Sequence, residues 1–368
     1  MKSGPKVASA TFGTRFPRLT PRTSNATGAG FLNSDAMMTQ SYDVLGIGNA
    51  IMDVIARADD AFLVRERIPK GAMNLIDEER AEHLYGAMGQ ATIISGGSAA
   101  NTIVGVQSLG ARAAYIGKVK ADDVGDLFAH DLRSTGVHFA TLQPKDGPAT
   151  ARSFIFVTED GERTMNTYLG ASQNLSVADI DSRLVESSAI VYLEGYLWDP
   201  PAAKDAFVKA SHIAHKAGRR VALTLSDSFC VDRYRAEFLD LMRKGIVDIV
   251  FANESEVKSL YETSDFETAV SALRDENVLG IVTRSELGSM VVEGQATHVV
   301  PAFPIDKLVD TTGAGDLFAG GFLYGLAKGA DYVTCANLGG LAAAEIIQHL
   351  GARPQLDLAQ HAKMHGLG

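Results

Sequence analysis

A regular alternation of short apolar runs and helical stretches is the feature that most restricts the fold of this chain. Strand-like runs recur through its second half: 189–193 (AIVYL), 221–225 (VALTL), 247–251 (VDIVF) and 280–283 (GIVT). Helical stretches such as 201–217 and 233–244 separate them. Wholly apolar strands in such an alternation predict a parallel sheet with helices on both faces. In sheets of this kind, ligands bind beyond the carboxyl ends of the strands.

A hairpin signal interrupts this rhythm in the first half of the chain. The runs 153–157 (SFIFV) and 163–168 (RTMNTY) flank the pair Asp160-Gly161. An Asp-Gly pair between two alternating runs is a strong sign of a β-hairpin. We therefore expect a small sheet around 150–170 that projects from the main α/β body.

Composition limits the class of protein and its partners. The 368 residues are 46% hydrophobic and 21% charged, which suits one large folded domain over 41–368. A net charge of -10 gives no general electrostatic attraction for nucleic acid or anionic lipid, and no apolar stretch reaches a membrane-spanning length. Cys230 and Cys335 form no C-x-x-C pair, which fits a reducing, cytoplasmic compartment. The expected partner is therefore a small molecule, without nucleic acid or membrane.

The first forty residues differ from the rest of the chain. They hold one acid, Asp35, and five basic residues among many Ser, Thr, Gly and Pro: Lys2, Lys6, Arg15, Arg18 and Arg22. This composition resembles an organellar transit peptide. The alternative is a disordered extension, such as one produced by a start upstream of Met37 or Met38. We adopt the second interpretation for residues 1–40 and exclude them from reasoning about the fold.

The most informative stretch is 310–316 (DTTGAGD), which precedes an apolar, helix-like segment at 317–329. Its glycines are predicted at a helix N-terminus, where unpaired N–H groups and the helix dipole can hold an anion. Asp316 would then lie in the first turn. A carboxylate beside an anion site makes sense if it accepts a proton from an attacking hydroxyl. The structural alternative is a glycine-rich turn with an acidic first helical residue.

Other nucleotide-binding signatures fail. The chain has no G-x-x-x-x-G-K-[ST] sequence, so a P-loop is excluded. The glycine pairs at 46–48 (GIG) and 313–315 (GAG) lack the third glycine of a dinucleotide fingerprint, which argues against a nicotinamide-dependent oxidoreductase. A regulator built on an inactive enzyme scaffold is a further alternative, and it would be expected to have lost Asp316 or the glycines beside it.

Two motifs together resemble the ribokinase-like (PfkB) carbohydrate kinase family. One is 310–316, and the other is 96–101 (GGSAAN), which continues to Gly110, Gly117 and Gly125. The resemblance covers roughly 42–354. It implies a three-layer α/β/α domain with a mostly parallel central sheet and a small β-sheet lid. The lid would include the hairpin at about 150–170 and a further segment at about 55–75.

The resemblance also implies the reactants. It implies that the chain uses ATP with Mg²⁺ to phosphorylate the hydroxyl of a nucleoside or sugar. Some members of the family require a monovalent cation such as K⁺, and the sequence leaves this requirement open. A monomer and a homodimer are both compatible with the sequence.

Roles at the phosphate site follow from the resemblance. Asp316 would be the general base. The backbone N–H groups of Gly313, Ala314 and Gly315 would form the anion hole for the transferred phosphate. Thr311 would contact the nucleotide.

The metal and nucleotide residues have structural alternatives. Asn253 and Glu256 match an N-x-x-E motif that organises Mg²⁺ through water in the family, but the same spacing is a helix capping box. Thr283 and Gly288 match a T-x-G-x-x-G motif that contacts ATP. The chain departs from that motif at Ser285, which stands where the motif has its middle glycine.

The acceptor site would lie beyond the first strand. By resemblance, Asp53 would bind two adjacent sugar hydroxyls, while read alone it is a turn or cap residue. Gly96, Gly97 and Asn101 would complete the sugar pocket together with Asn49. Asn101 offers both a donor and an acceptor.

Three segments point to the adenosine kinase branch of the family: 48–53 (GNAIMD), 194–197 (EGYL) and 225–229 (LSDSF). A nucleoside needs an apolar slot for its base. Three phenylalanines are candidates to contact the base, although each could equally serve core packing: Phe154, Phe156 and Phe229. We predict ATP-dependent phosphorylation of the 5′-hydroxyl of a nucleoside, adenosine to AMP. The alternative is a sugar kinase of the same family that acts on ribose, fructose or another nucleoside.

Overall fold

The computed structural model of the chain describes residues 41–368, and the extension predicted at 1–40 lies outside the described residues. The strands are β1 Tyr42–Ile47, β2 Ile51–Arg57, β3 Met73–Leu75, β4 Ala91–Gly96, β5 Ala113–Ile116, β6 His138–Phe139, β7 Ala151–Val157, β8 Arg163–Tyr168, β9 Ser188–Glu194, β10 Arg220–Thr224, β11 Ile249–Asn253, β12 Leu279–Thr283, β13 Ser289–Glu293 and β14 Ala296–Val300. The α-helices are α1 Asp60–Arg65, α2 Glu78–Ala87, α3 Ser98–Ser108, α4 Asp123–Ser134, α5 Ser182–Glu186, α6 Pro201–Lys216, α7 Ser228–Arg243, α8 Glu254–Leu260, α9 Phe266–Arg274, α10 Ala314–Ala327, α11 Tyr332–Ile346 and α12 Leu358–Met364.

The larger sheet has nine strands in the order β14-β13-β12-β11-β10-β9-β1-β5-β6. All pairs from β12 to β6 are parallel, and β13 and β14 add an antiparallel edge. The predicted mostly parallel sheet is therefore confirmed. The apolar run predicted at 247–251 is displaced, because Val247 packs in the core ahead of the strand and β11 extends to Asn253.

Helices cover both faces of this sheet, and each face has its own apolar core. One core contains Phe207 of α6 and Phe238 of α7. The core on the other face contains Phe128 of α4 and Phe322 of α10. All four rings are almost fully removed from solvent, and each such burial stabilises the fold by roughly 1.5–3 kcal/mol. The three-layer α/β/α architecture is thus as expected. None of the helices described here is both long and apolar enough to cross a membrane.

The smaller sheet has five strands in the order β3-β8-β7-β2-β4. The antiparallel hairpin β7–β8 turns at Gly161, whose φ of 83° suits glycine. The segment 55–75, which was expected to belong to the lid, supplies the end of β2, α1 and β3. Helices α1 and α2 pack on one face of this sheet.

Alternation along the strands decides which residues lie on each face of the smaller sheet. Phe154 pairs with Val54, and both belong to the apolar cluster under α1 and α2. Asp53 and Ser153, one residue earlier in each strand, lie on the opposite face. The assignment of Phe154 to the base-binding slot is therefore wrong. The same holds for Phe156, which contacts Phe62 of α1 at 4.8 Å between ring centroids.

The strand order places a crevice at β1. From β1 the chain continues to β5 and β6 on one side, and β9 to β12 follow on the other side. Neighbouring connections therefore diverge above the carboxyl ends of β1 and β9. Open α/β sheets bind ligands at such a topological switch point.

Candidate active site

A buried carboxylate joins the loops at the switch point. Glu194, the last residue of β9, accepts hydrogen bonds from the backbone N–H of Asn49 (3.3 Å), its side-chain amide (2.7 Å) and the N–H of Ala99 (2.8 Å). Glu194 thereby ties the loop after β1 to the first turn of α3. Burial raises the pKa of Glu194 to about 7, although the hydrogen bonds from Ala99 and Asn49 act in the opposite direction.

Asp316 lies in the first turn of α10, as the sequence predicts, and faces the start of α3. Its Oδ1 accepts from the hydroxyl of Ser98 (2.6 Å), and its Oδ2 accepts from the side-chain amide of Asn101 (2.9 Å). Removal of water raises the pKa of Asp316, and these two hydrogen bonds oppose the rise. Such a carboxylate is held in one orientation and is more basic than an exposed one.

The glycine-rich loop ahead of α10 has the backbone shape expected of an anion site. Gly313 has a φ of 81°, and a Cβ there would lie 2.8 Å from Cβ of Ala352. Nothing lies within 4 Å of a Cβ at Gly315. The N–H of Ala314 already donates to the carbonyl of Thr311 (3.2 Å). The N–H groups of Gly313 and Gly315 find no acceptor within residues 41–368, so two of the three predicted donors are available to an anion.

The smaller sheet contacts this loop directly. Arg163, the first residue of β8, forms an ion pair with Asp310 (2.6 Å) and donates to the hydroxyl of Thr312 (3.0 Å). Asp310 also accepts from the N–H groups of Thr312 and Gly351. Both members of the ion pair are largely buried, so the position of β8 is coupled to that of the loop. Sequence reasoning did not identify Arg163, because its partners lie almost 150 residues away.

Asp53 and the glycine pair at 96–97 fit tightly together. A Cβ at Gly96 would lie 2.3 Å from Oδ2 of Asp53, and a Cβ at Gly97 would lie 2.2 Å from the carbonyl of Asn49. Gly97 also has a φ of 91°, so neither position accommodates a side chain. Burial raises the pKa of Asp53 to about 7, while the positive charge of Arg353 acts to lower it.

Two buried side-chain oxygens at this site have no hydrogen-bond partner. They are Oδ1 of Asn49 and Oδ1 of Asn101, and both residues are at most 5% exposed. Leaving a buried acceptor unpaired costs roughly 1–3 kcal/mol. Two such acceptors beside Asp53 and Asp316 suit a ligand that supplies hydroxyl donors.

The predicted metal residues form the capping box at the start of α8. The N–H of Glu256 donates to Oδ1 of Asn253, and the carboxylate of Glu256 accepts from the backbone N–H of Asn253. Burial raises the pKa of Glu256 to about 7. Among the residues that the structure describes, no group of three or more His, Cys, Asp or Glu side chains could hold a metal directly. Any Mg²⁺ would therefore take most of its ligands from water and phosphate.

The predicted nucleotide residues lie at the carboxyl end of β12. Thr283 ends the strand, and Gly288 has a φ of 84° with a Cβ position only 2.1 Å from the carbonyl of Val300. Ser285 has a φ of 51°, the left-handed conformation that glycine adopts more easily. The backbone thus has at Ser285 the shape that a glycine would favour, and a serine side chain is accommodated there.

The remaining base-contact candidate is Phe229 in the first turn of α7. Its side chain is 78% exposed, in contrast with the buried Phe154. On the smaller sheet, the face that carries Asp53 also carries Ile55, Ile155 and Met165. Ile55 lies two residues after Asp53 in β2, Ile155 of β7 pairs with Ile55, and Met165 of β8 pairs with Ile155. Apolar side chains therefore lie on the same face of the sheet as the Asp53 carboxylate.

Comparisons with known proteins agree with this geometry. The model of the pfkB family carbohydrate kinases matches residues 72–358. The crystal structure of adenosine kinase from Sinorhizobium meliloti is 56% identical, with a TM-score of 0.83 over 88% of this chain and 99% of that one. A probable sugar kinase protein from Rhizobium etli CFN 42 is 54% identical, with a TM-score of 0.85 over 90% of this chain and 100% of that one.

A curated relative outside these structures is adenosine kinase of Saccharomyces cerevisiae. It is 27% identical over 327 residues, which is 83% of this chain and 94% of the relative. The family match spans well over half of the chain, and these relatives are covered almost completely. The chain is therefore a kinase that belongs to the pfkB family of carbohydrate kinases.

Proposed function

We propose that this kinase transfers the γ-phosphate of ATP to the 5′-hydroxyl of adenosine, which yields ADP and AMP. The observation that carries the proposal is the arrangement at the start of α10. There, Asp316 is held by Ser98 and Asn101 beside the free N–H groups of Gly313 and Gly315. A base and an anion cradle at one helix terminus are what transfer of a phosphoryl group to a hydroxyl requires.

In the proposed reaction, Asp316 accepts the 5′-hydroxyl proton as the oxygen attacks the γ-phosphorus in line. The bond from the γ-phosphorus to the β,γ-bridging oxygen breaks, and ADP leaves. The N–H groups of Gly313 and Gly315 donate to the equatorial phosphate oxygens, on which negative charge is spread in the transition state. The raised pKa of Asp316 suits this role, because it makes the carboxylate a stronger proton acceptor.

The ribose would lie between the two sheets. Asp53 would accept hydrogen bonds from its 2′- and 3′-hydroxyls, and the absence of side chains at Gly96 and Gly97 would let the sugar approach the backbone. The unpaired oxygens of Asn49 and Asn101 would accept further hydroxyl donors. This set of acceptors suits a neutral polyol.

Mg²⁺ and ATP complete the proposed site. Asn253 and Glu256 would orient water around the ion, and the ion would neutralise charge on the phosphates. The nucleotide would be contacted by Thr283 at the end of β12, by Gly288 and by Thr311 ahead of α10.

A nucleoside is favoured over a simple sugar by the apolar surface beside Asp53. Ile55, Ile155 and Met165 share its face of the smaller sheet, and Phe229 is exposed at the start of α7. A purine would cover the half-buried side chains of Ile55 and Met165, whereas ribose or fructose would leave them partly in water. The similarity to the adenosine kinase of Sinorhizobium meliloti supports the same choice.

An acceptor screen tests the substrate. ADP release would be measured with ATP and Mg²⁺ over adenosine, inosine, guanosine, ribose and fructose, once in K⁺ and once in Na⁺. We expect the highest kcat/KM with adenosine. A higher kcat/KM with ribose or fructose would contradict the nucleoside assignment and favour the alternative of a sugar kinase. The comparison of the two salts determines whether a monovalent cation is needed.

A further inference from the structure

Arg353 connects the C-terminal part of the chain to the segment that begins α3. It lies in the loop after α11 and is half-buried. Its Nε donates to the carbonyl of Ser95 (3.0 Å), its Nη2 to the hydroxyl of Ser95 (2.7 Å), and its Nη1 to the carbonyl of Ala100 (3.1 Å). Ser95 precedes the glycine pair at 96–97 and Ala100 follows it, so one planar guanidinium fixes both ends of that segment.

Asp131 of α4 holds the same segment from another direction. Its Oδ2 accepts from the backbone N–H of Ser95 (2.9 Å) and from the Ser95 hydroxyl. Ser95 is 1% exposed. Asp131 and Arg353 are therefore both hydrogen-bonded to a residue that is shielded from water. The arrangement balances the charge of Arg353 without a direct bond to Asp53 or Asp316.

The fixed segment carries the groups that orient the proposed base. Ser98 and Asn101, which hold the two oxygens of Asp316, are the first and fourth residues of α3. Gly96 lies against Asp53. We propose that Arg353 is a positioning residue for phosphoryl transfer, which keeps Ser98 and Asn101 in register with Asp316. This inference rests on the proposed role of Asp316 as the base.

Charge supports the same assignment. Arg353 is a cation that lowers the pKa of both Asp53 and Asp316. Burial lowers the pKa of Arg353 itself, and the surrounding acids oppose that change. The other titratable groups that face Asp316 or Asp53 come from β2, β8, β9 and the turn after β9: Asp53, Arg163, Tyr192, Glu194 and Tyr196. Without Arg353, acids would outnumber bases around Asp316.

The test compares Arg353→Met and Arg353→Lys with wild type, using kcat and KM for adenosine from pH 5 to pH 9. We expect Arg353→Met to lower kcat by about tenfold or more, because small displacements of aligned groups are costly. The acidic limb of its pH profile of kcat should also move to higher pH, since the pKa of Asp316 rises when the positive charge is removed. Arg353→Lys keeps the positive charge but loses the planar guanidinium that donates three hydrogen bonds. We therefore expect kcat to fall while the acidic limb stays at the same pH.

Arg219→Met is the matched control. Arg219 is also half-buried and donates to a backbone carbonyl, that of Glu186 (2.9 Å), at the amino ends of β9 and β10. We expect Arg219→Met to retain kcat and the acidic limb of wild type. A purely structural role for Arg353 would make Arg353→Met lose stability without a shift of the limb.

Wild-type kcat and an unchanged limb in folded Arg353→Met would overturn the proposal. If that variant does not fold, wild-type kcat in Arg353→Lys would overturn it instead. Asp316→Asn, assayed alongside, separates the two levels of the argument. An active Asp316→Asn refutes the base and therefore this inference, whereas an inactive Asp316→Asn with a normal Arg353→Met refutes only the positioning role.

Discussion

The proposed acceptor side and the proposed nucleotide side of the site are built differently. On the acceptor side, Asn49, Asn101 and Glu194 are buried, and the glycines at 96–97 leave no room for a Cβ. On the nucleotide side, Asn253 and Ser285 are exposed. On the proposed function, we expect the orientation of the acceptor to be fixed before binding, whereas contacts to ATP should tolerate variation. Each of the following experiments tests that contrast.

The largest effect is expected at the base. Asp316→Asn keeps the size of the side chain but removes the proton acceptor, so kcat should fall on the order of 10²-fold or more. Steady-state kinetics would give kcat, and calorimetry would give the affinity for adenosine. The affinity should be retained. Turnover close to that of wild type would show that another group accepts the proton.

The next effect concerns a methyl group on the acceptor side. Gly96→Ala would place a Cβ against the carboxylate of Asp53. We expect kcat/KM for adenosine to fall about tenfold or more, with little change in the KM for ATP. Gly86→Ala in α2 is the matched control, because nothing lies within 4 Å of the added methyl group. Equal KM changes for both substrates in Gly96→Ala would remove the distinction between the two sides.

The fold could be predicted from the sequence, and so could the position of Asp316 in the first turn of a helix, since both depend on local patterns. Strand–helix alternation predicted the sheet with helices on both faces, and the Asp160-Gly161 pair predicted the β7–β8 hairpin. Phe154 was assigned wrongly because the face on which a side chain lies depends on register with β2, which the hairpin alone does not specify. Arg353 was missed because its partners lie about 250 residues away, and two of its three hydrogen bonds go to backbone carbonyls, which have no sequence signature.

A third effect is on the pH dependence of stability. The pKa of Glu194 is about 7 in the folded protein and 4.5 as its ordinary value. The folded state therefore holds an extra proton between these pH values, and its stability falls as pH rises through them, by about 3 kcal/mol in total. Urea unfolding of Glu194→Gln from pH 4 to pH 8 should show a flatter profile than wild type. Identical profiles would contradict the assigned pKa.

Glu256→Gln is the counterpart of this variant on the nucleotide side. Burial raises the pKa of Glu256 to about 7 as well, so its profile should also flatten. The kinetic effects should differ. Glu194→Gln should raise the KM for adenosine, while Glu256→Gln should raise the Mg²⁺ concentration needed for half-maximal rate. The same kinetic change in both variants would show that the two sides are not independent.

The smallest effect is expected at Ser285. Its left-handed backbone is unfavourable for a residue with a side chain, so Ser285→Gly should stabilise the protein by about 1 kcal/mol. Thermal unfolding would measure the gain, and kcat/KM for adenosine should stay unchanged. A loss of stability would mean that the serine side chain makes a favourable contact that outweighs the strain.

The central claim is that Asp316 contacts the hydroxyl that is phosphorylated. A crystal structure with adenosine and a non-hydrolysable ATP analogue tests it most directly. We predict that the 5′-oxygen lies at hydrogen-bond distance, about 2.6–3.2 Å, from the carboxylate of Asp316, with the γ-phosphate over the N–H groups of Gly313 and Gly315. A 5′-hydroxyl that bonds elsewhere while both ligands occupy the crevice would contradict the account.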